Sequence, residues 1–435
     1  MDSRIKVPTE IPSVVEGLTL SFNPVSPTIM HLDLNSCFAS VEQQANPLLR
    51  GKPIAVTAYT APSGCILAPS IEAKKYGVKT GMRVKEGKLL CPNLIVLPSD
   101  PNKYREVHLR FRRLLSEYTD EVIPKSIDEF VLNLATLQVA KPEDVGKQIK
   151  QRIKKEIGDW LRISVGIGPN RFLAKTAAGL HKPDGLDTID KNNYQKIYEG
   201  LTLTDLCGIS VANAARLNRV GIFTTAQFAA APVQTLHSAF GSVNGYYWYL
   251  RLRGWKIDDV EFGRKSFGNS YALPKPLITG EELAPILSKL VEKATHRMRS
   301  AGYSAGGVHL AIVYRDESYW HRGMTIPEVF AGSDIYRYAR QLLDRCPHRK
   351  PVRNLAISCF DLVEQGSTQL VLFENVLKRK RLVKAIDELN ERYGNYVVMP
   401  ALMLGTHESV PDRISFGLPA DATHQALRAG GVREL

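Results

Sequence analysis

Short apolar runs alternate with amphipathic segments over about the first 190 residues of this 435-residue chain. Apolar runs bounded by turn residues predict β-strands, and apolar positions that recur every three or four residues predict helices. This mixture predicts an α+β fold for the first half of the chain. The predicted strands cover residues 28–34, 53–57, 64–68, 121–124, 130–134 and 162–167, and the predicted helices cover residues 37–44, 72–76, 104–118, 145–157 and 171–180.

The pattern changes beyond this region. Residues 192–254 show only helical periodicity, and strand-like runs return from residue 266 onward. The second half is therefore predicted to be a helical region followed by another α+β region. In that last region the predicted strands cover residues 308–313 and 355–358, and the predicted helices cover residues 281–301 and 335–343.

The N-terminal residues 1–27 contain four prolines and little periodicity, which predicts a loosely ordered arm. Regular structure is expected to begin at Thr28, and Ser36 is a candidate N-cap for the first helix.

Composition and charge narrow the class of protein. Lys and Arg number 57 against 44 Asp and Glu, and this net charge of +13 favours a polyanionic partner such as nucleic acid or, alternatively, a well-solvated basic surface. No apolar run approaches the roughly 20 residues that span a bilayer, so no membrane association is expected. The six cysteines are scattered without a C-x-x-C pair, which fits a reducing compartment and a cytoplasmic protein of bacterial type.

Three carboxylates are candidates for a metal site. Asp33 ends an apolar strand, and Asp128 and Glu129 are neighbours at the bend of a predicted hairpin. If the three converge, their mutual repulsion requires a cation, and Mg²⁺ suits oxygen ligands that are completed by phosphate. Two such ions can clamp the attacking and leaving oxygens of a phosphoryl displacement. The alternatives are a helix cap at Asp33 and a solvated turn at Asp128 and Glu129.

A glycine-containing turn at residues 165–176 precedes a basic helix, but it has the spacing of neither a P-loop nor a dinucleotide fingerprint. Lys182 follows that helix immediately before Pro183. Beside a metal site Lys182 would be a point charge for a triphosphate, whereas elsewhere it would be solvated.

The order of these motifs resembles the Y-family, lesion-bypass DNA polymerases over Thr28 to Pro411. The motifs are residues 31–42, 126–129, 164–175 and 182–183, and their order and spacing together are highly specific. The resemblance implies a right-hand polymerase that adds dNTPs to the 3′-hydroxyl of primer–template DNA and acts as a monomer. It also implies an N-terminal extension (1–27), a palm (28–36 and 99–189), fingers (37–98), a thumb with a helix-hairpin-helix (190–257), a linker (258–266), an α+β little finger (267–411) and a C-terminal tail (412–435).

The resemblance also assigns roles at the catalytic centre. Asp33, Asp128 and Glu129 look like the catalytic carboxylates and, with the backbone carbonyl of Leu34, like the ligands of two Mg²⁺ ions. Phe38 stands where the family keeps an aromatic steric gate against the 2′-hydroxyl, although core packing is an alternative that can hold as well. The remaining implied nucleotide-binding residues are Cys37, Ile71, Lys74 and Lys182.

Two of these positions depart from the family pattern. Ile71 stands where a Tyr is usual, and Lys74 stands where an Arg is usual. Because Ile donates no hydrogen bond and Lys is not a bidentate fork, nucleotide affinity is in doubt. These changes motivate an alternative function, a catalytically weak DNA-binding accessory protein with the same fold. A two-metal nuclease is a further alternative.

The implied DNA-binding residues lie on the basic helix of residues 171–180, in the thumb and in the little finger. Gly208 and Ser210 match a thumb hairpin that approaches a phosphate, although Ser210 replaces a second Gly and a plain helical turn is the alternative. Residues 369–373 resemble a peptide that docks on a sliding clamp, with a buried strand as the alternative. The predicted DNA-binding residues are Arg171, Lys175, Gly208, Ser210, Arg353, Lys378 and Arg379, and the predicted clamp-binding residues are Gln369, Leu370, Leu372 and Phe373. For the basic run 378–381 a solvated helix face is an equal alternative.

Overall fold

The structure, a computed structural model, describes residues 20–135, 141–257, 264–347, 349–364 and 374–411. Contacts divide the chain into two compact units, of which the first ends at Glu261 and the second covers Phe262–Asp412. Both units combine helices with sheets, so the predicted α+β fold class is confirmed. Among the helices within these described ranges, none has both the length and the apolar character that crossing a bilayer requires.

The first unit begins with an α+β part that holds two sheets, one of five strands and one of three. The helix that begins at Pro101 shows how local sequence defines an element, since the Asp100 side chain accepts a hydrogen bond from the Lys103 N–H and Pro101 occupies the first turn. In chain order the elements are β1 (Ile29–Leu34), α1 (Cys37–Ala45), β2 (Ile54–Thr57), β3 (Ile66–Pro69), α2 (Ile71–Lys75), α3 (Val84–Leu90), β4 (Ile95–Pro98), α4 (Pro101–Leu115), β5 (Val122–Pro124), β6 (Glu129–Asn133), α5 (Pro142–Arg152), β7 (Ile163–Gly168), α6 (Arg171–Leu180) and β8 (Leu186–Thr188).

The five-stranded sheet has the order β5-β6-β1-β7-β8, and its central strand β1 pairs antiparallel with β6 and β7. Alternation along β1 sends Met30 and Leu32 into the main apolar core, which α1 and α4 help to cover. The opposite face packs against α6. At Gly166 a Cβ atom would lie 2.0 Å from the backbone oxygen of Ala174, so only glycine allows α6 to approach this closely. The glycines of residues 165–176 therefore serve helix–sheet packing.

Ser36 occupies the N-cap position of α1 as predicted, but its side chain does not cap the helix. Ser36 has a left-handed backbone with φ of 51°, and its hydroxyl makes no capping hydrogen bond. The turn between β1 and α1 is instead held by Ser40, whose hydroxyl donates to the carbonyl oxygen of Asn35 at 2.7 Å.

The remainder of the first unit is helical, as predicted. Its core contains the aromatic side chains of Phe172, Phe228 and Trp248 together with many leucines. The helices are α7 (Tyr194–Glu199), α8 (Val211–Arg219), α9 (Thr225–Ala230), α10 (Val233–Phe240) and α11 (Asn244–Leu252).

A short segment at residues 20–23 is bound to this helical region, so the prediction of a loose arm is wrong there. The Leu20 N–H donates to the hydroxyl of Tyr249 at 2.8 Å, and the Asn23 N–H donates to the carbonyl of Arg253 at 2.8 Å. Phe22 stacks on Tyr194 with ring centroids 4.1 Å apart. This apolar and hydrogen-bonded contact, which periodicity does not reveal, fixes the chain just before β1.

The second unit is a four-stranded antiparallel sheet with helices packed on one face. Its first helix, which starts at Gly280, begins with a capping box in which Thr279 and Glu282 bond each other's backbone N–H groups. The elements are β9 (Ser266–Leu277), α12 (Gly280–Ser300), β10 (Tyr303–Tyr314), β11 (Tyr319–Val329), α13 (Gly332–Asp344), β12 (Val352–Glu364) and α14 (Glu374–Tyr393), and the sheet order is β11-β10-β12-β9. The predicted clamp-binding residues 369–373 lie outside the described residues.

Candidate active site

The register of the central sheet brings the predicted carboxylates together. Asp33 near the end of β1 lies directly opposite Glu129 at the start of β6. The N–H of Leu34 donates to the backbone carbonyl of Asp128 at 2.9 Å, which joins the hairpin bend to the end of β1. Paired residues on neighbouring strands project to the same face, so Asp33 and Glu129 share the face of the sheet that α6 covers.

Two lysines neutralise two of these carboxylates. The ammonium of Lys182, which follows α6, lies 2.5 Å from an oxygen of Asp33. Lys175 on α6 donates to both oxygens of Glu129, at 2.8 and 2.7 Å. The structure thus places Lys182 at the site as expected, whereas Lys175, predicted to bind DNA, contacts Glu129, one of the carboxylates predicted to be catalytic.

Asp128 accepts a hydrogen bond of 2.5 Å from the hydroxyl of Ser126. Burial raises the pKa of Asp128, and the charges of Asp33 and Glu129 raise it further, while the Ser126 hydrogen bond opposes the rise. A bound cation would relieve both the desolvation and the repulsion. The site therefore fits a hard divalent ion, because carboxylates and carbonyl groups are the oxygen ligands that such ions prefer.

His31 is a part of this cluster that the sequence reasoning missed. Its Nε2 atom is buried, lies 3.8 Å from a Glu129 oxygen, and has no hydrogen-bond partner. Ligand atoms of His31, Asp33 and Glu129 all lie within 4.8 Å of one another. Burial, followed by the charge of Lys175, lowers the pKa of His31 to about 3, so its ring is neutral. The sequence does indicate that His31 lies beside Asp33, because His31 is two residues earlier on the same strand and therefore on the same face.

Phe38 lies in the first turn of α1, shortly after Asp33 in the chain. It is 0% exposed and stacks on Tyr104, with ring centroids 4.5 Å apart and ring planes 15° apart. The Tyr104 hydroxyl in turn donates to Glu42 at 2.9 Å. The core-packing interpretation of Phe38 is therefore confirmed, and its role as a steric gate stays a prediction. Its neighbour Cys37 is also buried, and burial followed by the charges of Asp128 and Asp33 raises the pKa of its thiol.

The two departures from the family pattern lie on the short helix α2. Ser70 caps this helix by accepting a hydrogen bond from the Ala73 N–H, and Ile71 is its first residue. Burial and then the charge of Lys182 lower the pKa of Lys74, whereas the charge of Asp33 raises it. Lys74 therefore belongs electrostatically to the carboxylate site, and Ile71 brings no polar group to it.

Comparison with known proteins agrees with this geometry. The impB/mucB/samB family matches residues 32–179, and its C-terminal domain matches residues 264–372. DNA polymerase IV of Moorella thermoacetica is 37% identical over 389 residues, which cover 87% of this chain and 96% of that protein. DNA polymerase IV 1 of Bacillus subtilis is 33% identical over 399 residues, covering 89% and 96%.

A solved structure is similar as well. The Y-family DNA polymerase chimera Dbh-Dpo4(243-245)-Dbh superposes with a TM-score of 0.69 and 25% identity, over 77% of this chain and 99% of that one. The chain belongs to the Y family of DNA polymerases. The prediction of a DNA-directed DNA polymerase of the lesion-bypass type is confirmed, and membership of this typically metal-dependent family agrees with the carboxylate cluster.

The predicted DNA-binding residues of this Y-family chain are Arg171 and Lys175 on α6, Gly208 and Ser210 just before α8, and Arg353, Lys378 and Arg379 in the second unit. Gly208 has φ of 94°, a conformation that favours glycine, and its carbonyl accepts a hydrogen bond from the Asn213 side chain. The Ser210 hydroxyl caps α8. In the second unit, Arg353 lies 2.6 Å from Glu317 and Arg379 lies 2.9 Å from Asp334, while Lys378 is exposed on α14.

Proposed function

We propose that this polymerase extends a primer 3′-hydroxyl on primer–template DNA, with Asp33, Asp128, Glu129 and the carbonyl of Leu34 holding two Mg²⁺ ions. The observation that supports this is the cross-strand pairing of Asp33 with Glu129 next to Asp128. Two Mg²⁺ ions in such a site lower the pKa of an attacking hydroxyl and neutralise a leaving pyrophosphate. The buried His31 and the lysines limit how these carboxylates can turn.

The lysines of the site provide the charge for a triphosphate. In the free protein Lys182 is held by Asp33, and Lys74 is close enough for Lys182 to lower its pKa. With a metal ion held by Asp33, Lys182 would be free to bind a phosphate oxygen as a point charge. Lys175 holds both oxygens of Glu129 on the face of the sheet that Glu129 shares with Asp33.

The DNA contacts and domain limits belong to the same proposal. Gly208 and Ser210 approach one phosphate at the start of α8, and Arg171 contributes positive charge near α6. In the second unit, the predicted basic residues Arg353, Lys378 and Arg379 follow the DNA backbone. The ion pair of Arg353 with the exposed Glu317 is weak enough to exchange for phosphate, and Lys378 is exposed, whereas Arg379 is bound to the buried Asp334. The palm (28–36 and 99–189), fingers (37–98), thumb (190–257) and little finger (267–411) have the limits predicted from the sequence. The polymerase acts as a monomer, and residues 369–373 can dock it on a sliding clamp.

A primer-extension assay tests the function. The full chain, Mg²⁺ and dNTPs are incubated with labelled primer on intact and on damaged templates. The proposal expects the primer to lengthen by template-directed addition on both templates. Shortening of labelled DNA without dNTPs would indicate the nuclease, and DNA binding without any extension would indicate the accessory protein.

We expect Lys182→Ala to raise the KM for dNTP more than it lowers kcat, because the variant loses a charge-assisted contact with the triphosphate. Such a contact contributes about 1.5–3 kcal/mol, which corresponds to roughly a tenfold to hundredfold change in KM. Steady-state single-nucleotide incorporation measures both constants. Lys191→Ala is the matched control, since Lys191 is an exposed lysine nine positions further along the chain. An unchanged KM in Lys182→Ala would remove this residue from nucleotide binding.

A further inference from the structure

Two histidines face each other on the sheet of the second unit. The helices α12 and α13 cover the face to which Val308, Leu310 and Ile312 project. His309 alternates with these buried residues and therefore projects to the opposite face. His321 on the neighbouring strand β11 lies opposite Ala311, and its Nδ1 atom is 3.1 Å from Nε2 of His309.

The neighbours of the two rings preorganise this arrangement. Gly323 is the cross-strand partner of His309, and a Cβ atom there would lie 3.4 Å from the His309 ring. Ala311, the partner of His321, is also small. Tyr319 stacks beside His321 with ring planes 17° apart, which restricts the orientation of that imidazole. Small residues and one aromatic contact thus surround two ring nitrogens that face each other.

The distance between the two nitrogens matches the separation of two nitrogen ligands that are bound to one metal ion. Zn–N bonds to histidine are about 2.0–2.1 Å long. Two nitrogens 3.1 Å apart then subtend roughly 95–102° at the metal, between the right angle of an octahedral site and the tetrahedral angle. Imidazole nitrogen suits Zn²⁺ and Cu²⁺, whereas Mg²⁺ prefers oxygen ligands. Burial and the neighbouring His321 also lower the pKa of His309, which leaves its lone pair available.

We propose that His309 and His321 form a two-histidine site for a divalent transition-metal ion, with Zn²⁺ as the physiological ligand. The site is separate from the carboxylate cluster of the first unit and different in donor chemistry. Because the pair lies on the face that α12 and α13 leave uncovered, the remaining coordination positions are open to water or another small ligand. Metal binding by His309 and His321 does not require polymerase activity.

Zinc titration of the full-length, untagged and metal-stripped protein tests the site. Competition with a chromogenic chelator in excess Mg²⁺, which competes with Zn²⁺ for the carboxylate cluster, should reveal one Zn²⁺ whose binding depends on both histidines. His309→Ala and His321→Ala should each weaken this binding by at least about tenfold, because losing a direct ligand should cost no less than losing a supporting residue. His407→Ala, which removes another exposed histidine of the same unit, should leave the affinity unchanged.

A spectroscopic measurement distinguishes the loss of a metal ligand from misfolding of the variant. Cu²⁺ bound to the protein should show electron paramagnetic resonance splitting from two equivalent nitrogen ligands, and each histidine variant should lose one of them. Circular dichroism checks that the variants are folded. Equal Zn²⁺ affinity in the wild type and both folded variants would overturn the proposed site. The absence of Zn²⁺ binding by the wild type would overturn it as well, because the two rings would then share only a hydrogen bond.

Discussion

Primer extension should be lost when Asp128 is replaced by asparagine. The substitution keeps the size of the side chain and its hydrogen bond with Ser126, but it removes a negative charge that already faces Asp33 and Glu129. If the site loses about 4 kcal/mol of transition-state stabilisation, the rate falls roughly a thousandfold. Single-turnover extension in Mg²⁺ measures the loss directly.

The matched control for this variant is Asp120→Asn, since Asp120 is an exposed carboxylate shortly before the same hairpin. It removes the same charge from the chain and should extend primers normally. Binding of primer–template DNA, measured by fluorescence anisotropy, should be similar for both variants, because neither removes a basic residue. Extension by Asp128→Asn at near the wild-type rate would contradict the assigned role of this carboxylate.

Much of the carboxylate site was predictable because it depends on local chemistry. A charge at the end of an apolar strand and two acidic residues at a hairpin bend are visible in sequence, and antiparallel pairing then brings Asp33 opposite Glu129. The same reasoning did not give the partner of Lys175. On a helix this lysine can be assigned to a face, but which strand that face meets depends on tertiary packing, here on the close approach of α6 to Gly166.

Elements with weak local signals were missed for related reasons. Helix α3 contains an internal glycine, Gly87, and the strand β4 is only four residues long and ends in Pro98. The edge strand β11 carries polar residues such as His321 and Arg322, so its apolar alternation is faint. These segments are defined by their partners in the sheet or the core, which a single sequence does not display.

Replacing Phe38 with alanine should change both stability and sugar selection. The ring is 0% exposed and lies in the main core, so its removal should cost about 3–5 kcal/mol and lower the Tm. If Phe38 also lies beneath the sugar of a bound nucleotide, the space that its removal creates should admit a 2′-hydroxyl. Single-nucleotide incorporation with paired dNTP and rNTP substrates should then show a marked rise in ribonucleotide use relative to the wild type.

Stability and selection can be separated with Phe111→Ala, because Phe111 is 3% exposed, belongs to the same core, and stacks on Phe130. Both variants should unfold at lower temperature, but only Phe38→Ala should lose discrimination against ribonucleotides. If either alanine variant fails to fold, Phe38→Leu and Phe111→Leu keep more of the packing and allow the same comparison. A Phe38 variant that loses stability as Phe111→Ala does, yet selects deoxynucleotides as strictly as the wild type, would assign this ring to core packing alone.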